Sequence, residues 1–243
     1  MKKRKSAADL CLALAGITPT FNRNQGWKMR ILVACECSGE IRDALLALGH
    51  DAISCDTKPT RKPGPHYCGD VRDILYDQWD GLVAHPVCKY LTNAGSKHLY
   101  RRIDGVWSKD NGPDPERWQN MREGAEFYKL FDRADHIPRR IIENPIMHGH
   151  AMKEIGLTRK NIQYVQPWQF GDPFSKATGL RIIGLPRLVP KFKKSDYAPG
   201  TIKQEVWLMG PSDDREEKRS KTYPGIAKAV AELFGKQTAQ AAA

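Results

Sequence analysis

The sequence predicts an α/β fold, in which a mostly parallel sheet carries helices on both faces. Short apolar runs alternate along the chain with amphipathic helical segments, which is the pattern of β-α-β units. The runs are almost continuously apolar, as expected for parallel strands covered on both faces. The chain has 243 residues, enough for one large α/β domain or two small ones.

The first β-α-β unit is predicted near the amino end. It consists of a strand over residues 30–35, a turn of small and polar residues over 36–39, a helix over 41–48 and a strand over 51–56. The second strand ends in the carboxylate of Asp56. Such units bind an adenosine-containing ligand, and the carboxylate accepts hydrogen bonds from the ribose hydroxyls. Because the turn lacks a complete G-x-G-x-x-G, a mononucleoside cofactor is favoured over a dinucleotide.

The stretch over residues 80–95 is predicted to present a nucleophile. Residues 82–84 form a buried strand, and Pro86 stops it because proline has no N–H to donate. Cys88 follows beyond the carboxyl end of the strand, which is where ligands bind in open α/β sheets. Cys88 is therefore placed like a nucleophile. The alternative is a small buried hydrophobe, the role of most cysteines outside disulfides.

The later elements complete the predicted fold. They are a helix over 116–131, strands over 139–142, 161–166 and 180–185, and a final helix over 226–234. The first of these strands delivers Glu143 and Asn144. Earlier in the chain, Asp70 lies where it can meet an adenine amino group. Asp70 can also cap a helix, a common duty for aspartate, and both roles can hold together.

A long loop is predicted from residue 97 to Pro115. Cations and aromatic residues alternate in it, which suits phosphate contact and base stacking. The alternative is a solvated charged loop. The formal net charge of +11 and the isoelectric point near 9.4 indicate a polyanionic partner, most simply nucleic acid, although a merely basic protein has the same charge.

No apolar run approaches the ~20 residues that a membrane span needs, so no membrane partner is expected. Six cysteines lie mostly at predicted strand ends, without the dense spacing of a secreted scaffold, and reduced thiols in a cytoplasm fit better. A zinc site is conceivable from Cys35, Cys37, Cys55 and Cys68. Because no C-x-x-C pair is present, no metal is predicted.

The motifs, taken in order, resemble those of DNA cytosine-5 methyltransferases, most of all the short versions encoded by phages and prophages. The resemblance covers residues 29–235. Residues 29–39 match the strand and turn that bind S-adenosylmethionine, and 85–95 follow the Pro-Cys nucleophile motif with the same spacing to the trailing glycine. Glu143 and Asn144 match the Glu-Asn-Val motif, and 171–178 is a degenerate form of the late Gly-x-Pro-Gln-x-Arg-x-Arg segment.

This resemblance implies a Rossmann-like, S-adenosylmethionine-dependent methyltransferase fold and a set of site residues. The implied catalytic residues are Cys88, Glu143 and Lys176. The implied cofactor-binding residues are Ala34, Cys35, Glu36, Ser38, Gly39, Asp56, Asp70, Val71, His85 and Pro86. The implied nucleic-acid-binding residues are Asn93, Lys97, Arg101, Arg102 and Lys176.

The chemistry that the resemblance implies explains this grouping. Carbon 5 of cytosine is a poor nucleophile, and the Cys88 thiolate activates it by adding to carbon 6. Negative charge then collects on the ring, and Glu143 meets it at N3 if burial keeps the carboxyl partly protonated. A surface or salt-bridging carboxylate is the alternative for Glu143. The target base must be flipped out of the stack, which the basic loop over 97–107 would help to hold open.

The chain departs from the family at several positions. Val87 stands where a second proline is usual, Lys89 where Gln is frequent, and Lys176 at the first Arg of the late motif. Only residues 186–219 separate that motif from the closing helix, so a full target-recognition domain does not fit. The protein therefore reads little sequence, borrows a recognition surface by forming a homo-oligomer, or acts on something smaller than duplex DNA.

The predicted organisation is a basic extension over 1–28, disordered or a short helix; a catalytic domain over 29–186; a short basic insertion over 187–219; and a closing helix and tail over 220–243. The function expected first is methylation of cytosine in DNA, in the cytoplasm of a bacterial host or phage-infected cell. Transfer to RNA or to a free pyrimidine nucleotide is the second interpretation, and a catalytically silent nucleic-acid-binding protein is the third.

Overall fold

The computed structural model describes residues 28–204 and 222–235. In chain order its elements are β1 (Arg30–Ala34), α1 (Glu40–Ala47), β2 (Asp51–Asp56), β3 (His66–Cys68), β4 (Gly81–Ala84), β5 (Arg102–Ile103), β6 (Val106–Trp107), α2 (Pro115–Asp132), β7 (Arg139–Pro145), α3 (Gly149–Ile155), β8 (Ile162–Val165), β9 (Thr178–Ile183) and α4 (Pro224–Gly235). Seven of the strands form one sheet, and β5 and β6 form a separate hairpin.

The large sheet has the strand order β3-β2-β1-β4-β7-β9-β8. The strands from β3 to β7 run parallel, whereas β9 is antiparallel to both of its neighbours. The chain moves outward from β1 to β2 and β3, then returns to the other side of β1 to form β4 and β7. The strand order therefore reverses between β1 and β4, and open α/β sheets bind ligands at the carboxyl ends of the strands flanking such a point.

Helices cover both faces of this sheet. On one face α2 and α3 pack against strand residues that include Leu32 and Leu82. On the other face α1 and α4 pack against the next residues of the same strands, Val33 and Val83. Successive side chains of a strand point to opposite faces, which is why the central strands are apolar along their whole length. The predicted fold class, a mostly parallel sheet with helices on both faces, is confirmed.

Both ends of the long helix α2 are fixed by side chains. Asp114 precedes the helix and accepts a hydrogen bond from the backbone N–H of Arg117 at 3.0 Å, while proline occupies the first helical position. After the helix, the buried guanidinium of Arg140 donates to the carbonyl oxygens of Ala134 and Ile137, both at 2.7 Å. The turn that leads from α2 into β7 is thereby bound to the strand itself.

A fully buried arginine on α1 fastens the Pro-rich loop that follows β2. The guanidinium of Arg42 donates to Ser54 Oγ at 3.1 Å and to the carbonyl oxygens of Lys62 and Pro63 at 3.1 and 3.2 Å. Gly64 packs on the guanidinium with φ of 152°, and a Cβ there would lie 2.7 Å from Arg42 Cζ. The sequence indicated only an amphipathic helix here, so this clamp was not predicted.

The structure corrects the predicted long loop over residues 97–115. A 3₁₀ helix spans Asn93–Leu99, and the β5–β6 hairpin follows it. The hairpin turns through Asp104 and Gly105, both with positive φ (48° and 81°). Asp-Gly is a favoured pair for a two-residue hairpin turn, because its twist matches that of the flanking strands. The short elements β3 and α3 were also not predicted.

Within residues 28–204 and 222–235, no helix has the length and apolarity needed to span a bilayer. Parts of the predicted organisation lie outside these residues: nearly all of the extension over 1–28, the section over 205–219 of the basic insertion, and the tail over 236–243. The proposed domain boundaries stay predictions.

Candidate active site

The central strands bring most of the predicted catalytic and cofactor residues to one edge of the sheet. In the register of the sheet Ala34 of β1 lies beside Ala84 of β4, and Ala84 lies beside Ile142 of β7. The residues that follow these positions therefore share the carboxyl edge. One backbone bond, from His85 N–H to the carbonyl oxygen of Ala34 at 2.9 Å, continues the ladder one step beyond the strands.

The loop that carries Cys88 is bound to the segment that follows Glu143. The carbonyl oxygen of Cys88 accepts the N–H of Thr92 at 3.2 Å, which closes a turn, and the side chain of Cys88 is half-buried. Thr92 forms an antiparallel bridge with Met147, and Asn93 N–H donates to the carbonyl oxygen of Ile146 at 2.8 Å. Backbone bonds thus couple the position of Cys88 to the end of β7.

Glu143 contacts His85 across the two adjacent strands. The distance from His85 Nδ1 to Glu143 Oε2 is 3.4 Å, and the two side chains are 12% and 22% exposed. Burial raises the pKa of Glu143, but the hydrogen bond and charge interaction with His85 and the charge of Lys176 outweigh it, so the pKa lies below its usual value. This lowered pKa does not fit the expectation that burial keeps the carboxyl partly protonated, and the side chain instead lies within hydrogen-bond distance of His85.

A small cavity lies beside the His85–Glu143 pair. The side chains of His85, Glu143 and Lys176 line its polar part, and Ile226 and Val230 of α4 line its apolar part. Its volume of about 20 Å³ is enough for about one water molecule. The final helix therefore packs against this cavity at the carboxyl edge of the sheet.

The segment that contains Lys176 is bound to the start of α4. Asp172 Oδ2 accepts the N–H of Gly225 at 2.8 Å, and the rings of Phe174 and Tyr223 lie 5.1 Å apart. Lys176 Nζ lies 5.9 Å from the centre of the Tyr223 ring. Although the late motif is degenerate in sequence, its lysine reaches the cavity that Glu143 also lines.

The turn after β1 contains a buried carboxylate. Glu36 is 5% exposed, and its Oε1 accepts hydrogen bonds from Ser38 Oγ and from the backbone N–H of Glu40. Its Oε2 is buried and has no hydrogen-bond partner among the described residues. Gly39 precedes α1 with φ of 78°. A buried carboxylate oxygen without a protein partner fits a ligand that carries an ammonium or hydroxyl donor.

The two predicted acids at the β2 side differ in how they are engaged. Asp56 Oδ1 accepts the backbone N–H of Lys58 at 2.9 Å. Asp70 caps the 3₁₀ turn over Val71–Asp73 and pairs with Arg72, with 2.9 Å to its backbone N–H and 2.8 Å to its guanidinium. The N–H of Arg72 lowers the pKa of Asp70. Asp70 therefore has the capping role that the sequence offered as an alternative. Its exposed carboxylate lies at the carboxyl edge of the sheet, after the end of β3.

Three other predicted cofactor residues are buried. Ala34 and Val71 belong to the core, and Pro86 is buried where it ends β4. Among the thiols that were weighed as zinc ligands, burial raises the pKa of Cys35, and it raises that of Cys55 to about 12. In the described part of the chain no cluster of His, Cys, Asp and Glu side chains could hold a metal ion.

Two of the predicted nucleic-acid-binding cations lie against one tryptophan, which the sequence analysis did not single out, whereas Lys176 lies at the cavity beside Glu143. Lys97 Nζ lies 4.6 Å and Arg102 Cζ 4.5 Å from the centre of the Trp107 ring. The centres of the His98 and Trp107 rings are 4.6 Å apart, in an edge-to-face arrangement. Arg101 is exposed beside it, and Asn93 is exposed at the start of the 3₁₀ helix. The hairpin register places Arg102 opposite Trp107, a pairing that the sequence alone did not indicate.

The sequence analysis assigned no role to Asn144, which is a buried residue of this site. Asn144 is 1% exposed, and neither its amide nitrogen nor its amide oxygen has a hydrogen-bond partner among the described residues. Buried polar groups are nearly always paired, so this amide has hydrogen-bonding capacity beside Glu143 that the described residues do not fill. Its position directly after the predicted catalytic acid was the only sequence signal.

No protein-family model matches the chain, and no curated protein matches it. Solved structures similar to it include a protein described as a DNA modification methyltransferase encoded within a prophage of E. coli (11% identity, 74% of this chain and 55% of that one, TM-score 0.37). Two others are the Dnmt2 methyltransferase of S. pombe (15%, 70% and 53%, 0.38) and the methyltransferase EhMeth of Entamoeba histolytica (15%, 66% and 54%, 0.40).

The chain thus spans about half the length of the solved structures to which it is similar. All three are described as methyltransferases. The fold itself stands on the strand order, the strand directions and the two helical layers of the described residues: a seven-stranded, mostly parallel α/β sheet whose strand order reverses between β1 and β4.

Proposed function

We propose that this protein transfers a methyl group from S-adenosylmethionine to carbon 5 of cytosine in nucleic acid, with DNA as the expected substrate. One observation carries the proposal. Cys88 follows β4, and Glu143 lies near the end of β7, the adjacent parallel strand. Backbone bonds join the segments beyond both residues. A soft nucleophile and an acid held side by side are what addition to a pyrimidine ring requires.

Cys88 supplies the nucleophile in this proposal. Its Sγ adds to carbon 6 of the base, and the electrons of the C5–C6 double bond make carbon 5 nucleophilic. The thiolate is the reacting form, and the half-buried turn beyond β4 keeps it at the sheet edge. After methyl transfer, loss of the proton from carbon 5 expels Cys88 and restores the aromatic ring.

Glu143 and Lys176 meet the charge that develops on the base. Addition at carbon 6 places negative charge on N3 and on the carbonyl oxygen, so a proton is needed at N3 and a cation is favourable near the oxygen. Glu143 and Lys176 line the same cavity, which supports their acting on one ring. Substrate binding expels water from this edge, which strengthens both interactions.

The edge beyond β1 and β2 has residues that fit S-adenosylmethionine. The unpartnered Oε2 of Glu36 would accept the ammonium group, while Asp56 and Asp70 would accept ribose or adenine donors. When bound, this cofactor supplies an electrophilic methyl group. The turn with Gly39 at its end lets the backbone approach the ligand closely, because glycine there carries no Cβ.

The charge distribution supports a nucleic-acid substrate. The net charge is +11, and Lys97, Arg101 and Arg102 lie together on the hairpin side of the site. Trp107 lies within this group of cations and presents an aromatic face of the kind on which bases stack. The expected setting is the cytoplasm of a bacterial host or a phage-infected cell.

The proposal is tested by transfer of labelled methyl from S-adenosylmethionine to DNA, RNA and dCTP. Wild type is compared with Cys88→Ala, and Cys68→Ala is the matched control because Cys68 is an exposed thiol at the end of another strand. We expect label in DNA with wild type and with Cys68→Ala, and none with Cys88→Ala. Label in RNA or dCTP alone moves the proposal to those substrates, and binding of the cofactor without transfer to any of them contradicts it.

A second measurement detects the covalent step directly. DNA containing 5-fluorocytosine has no proton at carbon 5 to lose, so the bond between Cys88 and carbon 6 persists after methyl transfer. We expect a protein–DNA adduct by intact mass with wild type and Cys68→Ala. An adduct that survives the Cys88→Ala change, or that maps to another residue, would exclude Cys88 as the nucleophile.

A further inference from the structure

The ring of His85 has two features that the proposed reaction leaves unexplained, one at each of its nitrogens. Its Nδ1 contacts Glu143 Oε2 at 3.4 Å, while its Nε2 is buried and has no hydrogen-bond partner in the described part of the chain. The resemblance assigned this residue only to the cofactor. A histidine between a catalytic carboxylate and a cavity is, however, also able to hold and release a proton.

The proposed reaction needs a proton that Glu143 alone does not hold. Addition of Cys88 to carbon 6 must be matched by a proton at N3, but the interactions with His85 and Lys176 keep the pKa of Glu143 below its usual value. At neutral pH the free enzyme therefore has a carboxylate at this position. A group in contact with that carboxylate is able to supply the proton, and His85 has a ring nitrogen within reach of it.

We propose that His85 and Glu143 hold one proton between them, and that this shared proton is the one delivered to N3 of the cytosine. The inference rests on the proposed function. As the bond from Cys88 Sγ to carbon 6 forms, His85 releases its Nδ1 proton to Glu143, and Glu143 delivers a proton to N3. His85 ends neutral, Glu143 ends as a carboxylate, and the base gains one proton that cancels the charge brought by the thiolate.

The surroundings of the pair favour a shared proton. Besides His85 and Glu143, the titratable side chains that line the cavity are those of Lys176 and Tyr223. Lys176 disfavours a second positive charge nearby, while the carboxylate of Glu143 favours one on His85. His85 acts through Glu143 and is therefore a positioning residue that also stores the proton.

The first test does not depend on activity. The ring signals of His85 are followed by NMR across pH in wild type and in Glu143→Gln, which keeps the side-chain shape but removes the charge. We expect the His85 ring signals to change with pH differently in the two proteins, because an adjacent carboxylate favours the protonated ring. Equal titration curves would overturn the proposal, whatever substrate the enzyme has.

The second test uses single-turnover methyl transfer across pH with His85→Asn. Asparagine still presents a donor to Glu143 but cannot titrate. We expect the wild-type rate to fall at alkaline pH. For His85→Asn we expect a rate about 100-fold lower than wild type at neutral pH and no such alkaline fall. The control His136→Asn changes a histidine that contacts the carbonyl oxygen of Leu75, away from the site, and is expected to leave rate and profile unchanged.

The outcomes are distinguishable. His85→Asn with the wild-type rate and pH profile would mean that His85 only orients Glu143, which overturns the shared proton. If wild type transfers no methyl group to any nucleic acid, the proposed function fails, and the NMR titration still decides whether the pair shares a proton. A matching urea midpoint of wild type and His85→Asn excludes unfolding as the cause of a lower rate.

Discussion

Thr92 and Met147 form an antiparallel bridge that joins the loop of Cys88 to the segment after Glu143. The next bond, from Asn93 N–H to the carbonyl oxygen of Ile146 at 2.8 Å, continues this connection. The nucleophile and the acid of the proposed site are thus held together by main-chain contacts, and their separation does not depend on a single side chain.

Replacing Asn93 with proline removes this bond selectively. Proline is compatible with position 93, because Asn93 is the first residue of a 3₁₀ helix and the preceding residue, Thr92, already has the extended backbone that a following proline requires (φ −74°, ψ 146°). Proline has no N–H to donate, so only this bond is lost. We expect the free energy of unfolding to fall by about 0.5–1.5 kcal/mol and adduct formation with 5-fluorocytosine DNA to slow about tenfold or more. Asn93→Ala keeps the N–H, and an equal loss in that variant would assign the effect to the side chain.

Removing the buried guanidinium of Arg42 should destabilise the whole fold. Arg42→Met leaves the part-buried carbonyl oxygens of Lys62 and Pro63 without their donor. We expect the free energy of unfolding in urea to fall by about 2–4 kcal/mol. Arg72→Met is the control, since its exposed pair with Asp70 is worth less than about 1 kcal/mol. Equal losses in the two variants would contradict the clamp.

Stability should fall as the pH drops below about 6.5. Burial lowers the pKa of His50 and of His148 from 6.5, and His148 Nδ1 accepts the N–H of Ala151 at 3.0 Å, a bond that needs an unprotonated nitrogen. The unfolded chain therefore takes up protons first, and stability is lost from pH 6.5 downward until the folded histidines titrate.

Urea midpoints measured between pH 8 and 5 check this dependence. His148→Asn keeps a side chain that caps the N-terminus of α3 but does not titrate, so its midpoint should fall less steeply over the same range. Stability of wild type that stays constant from pH 6.5 to 5 would contradict the neutral, buried state of His148. The lowered pKa of Asp70 acts in a separate window, at and below its usual value of 3.8.

The cations around Trp107 should set the salt dependence of nucleic-acid binding. If Lys97 and Arg102 contact phosphates of duplex DNA, each replacement by alanine should reduce the slope of log K against log salt by about 0.9. Lys160→Ala is the matched control, because Lys160 is an exposed lysine in the turn before β8, an outermost strand of the sheet. Fluorescence anisotropy over a salt series gives the slopes, and a reduced slope with Lys160→Ala only would move the binding surface away from the hairpin.

The strands and long helices were predictable because each has a clear period. The predicted strand over 51–56 is β2, and the predicted helix over 116–131 differs from α2 by one residue at each end. These elements are long or strongly apolar, and apolar periodicity reports which face is buried. The short strand β3 and the seven-residue helix α3 have too few residues to show a period, so they were missed.

The site was predictable as a set of residues but not as a set of contacts. Strand ends locate Cys88 and Glu143 at one edge, because parallel strands share their carboxyl ends. The contact between His85 and Glu143 depends on the register of β4 against β7, which no local pattern encodes. The direction of the Glu143 pKa followed from this contact, and burial alone gave the wrong sign.

The position of α4 has a consequence for the order in which the protein folds during synthesis. About 140 residues separate Val83 from the start of α4, so at roughly 5–20 residues per second the ribosome needs on the order of ten seconds to deliver the helix that covers this face. Phe234 packs against Gly81, where a Cβ would lie 2.6 Å from its ring. Until that ring emerges, the nascent chain presents an uncovered apolar surface that chaperones can bind.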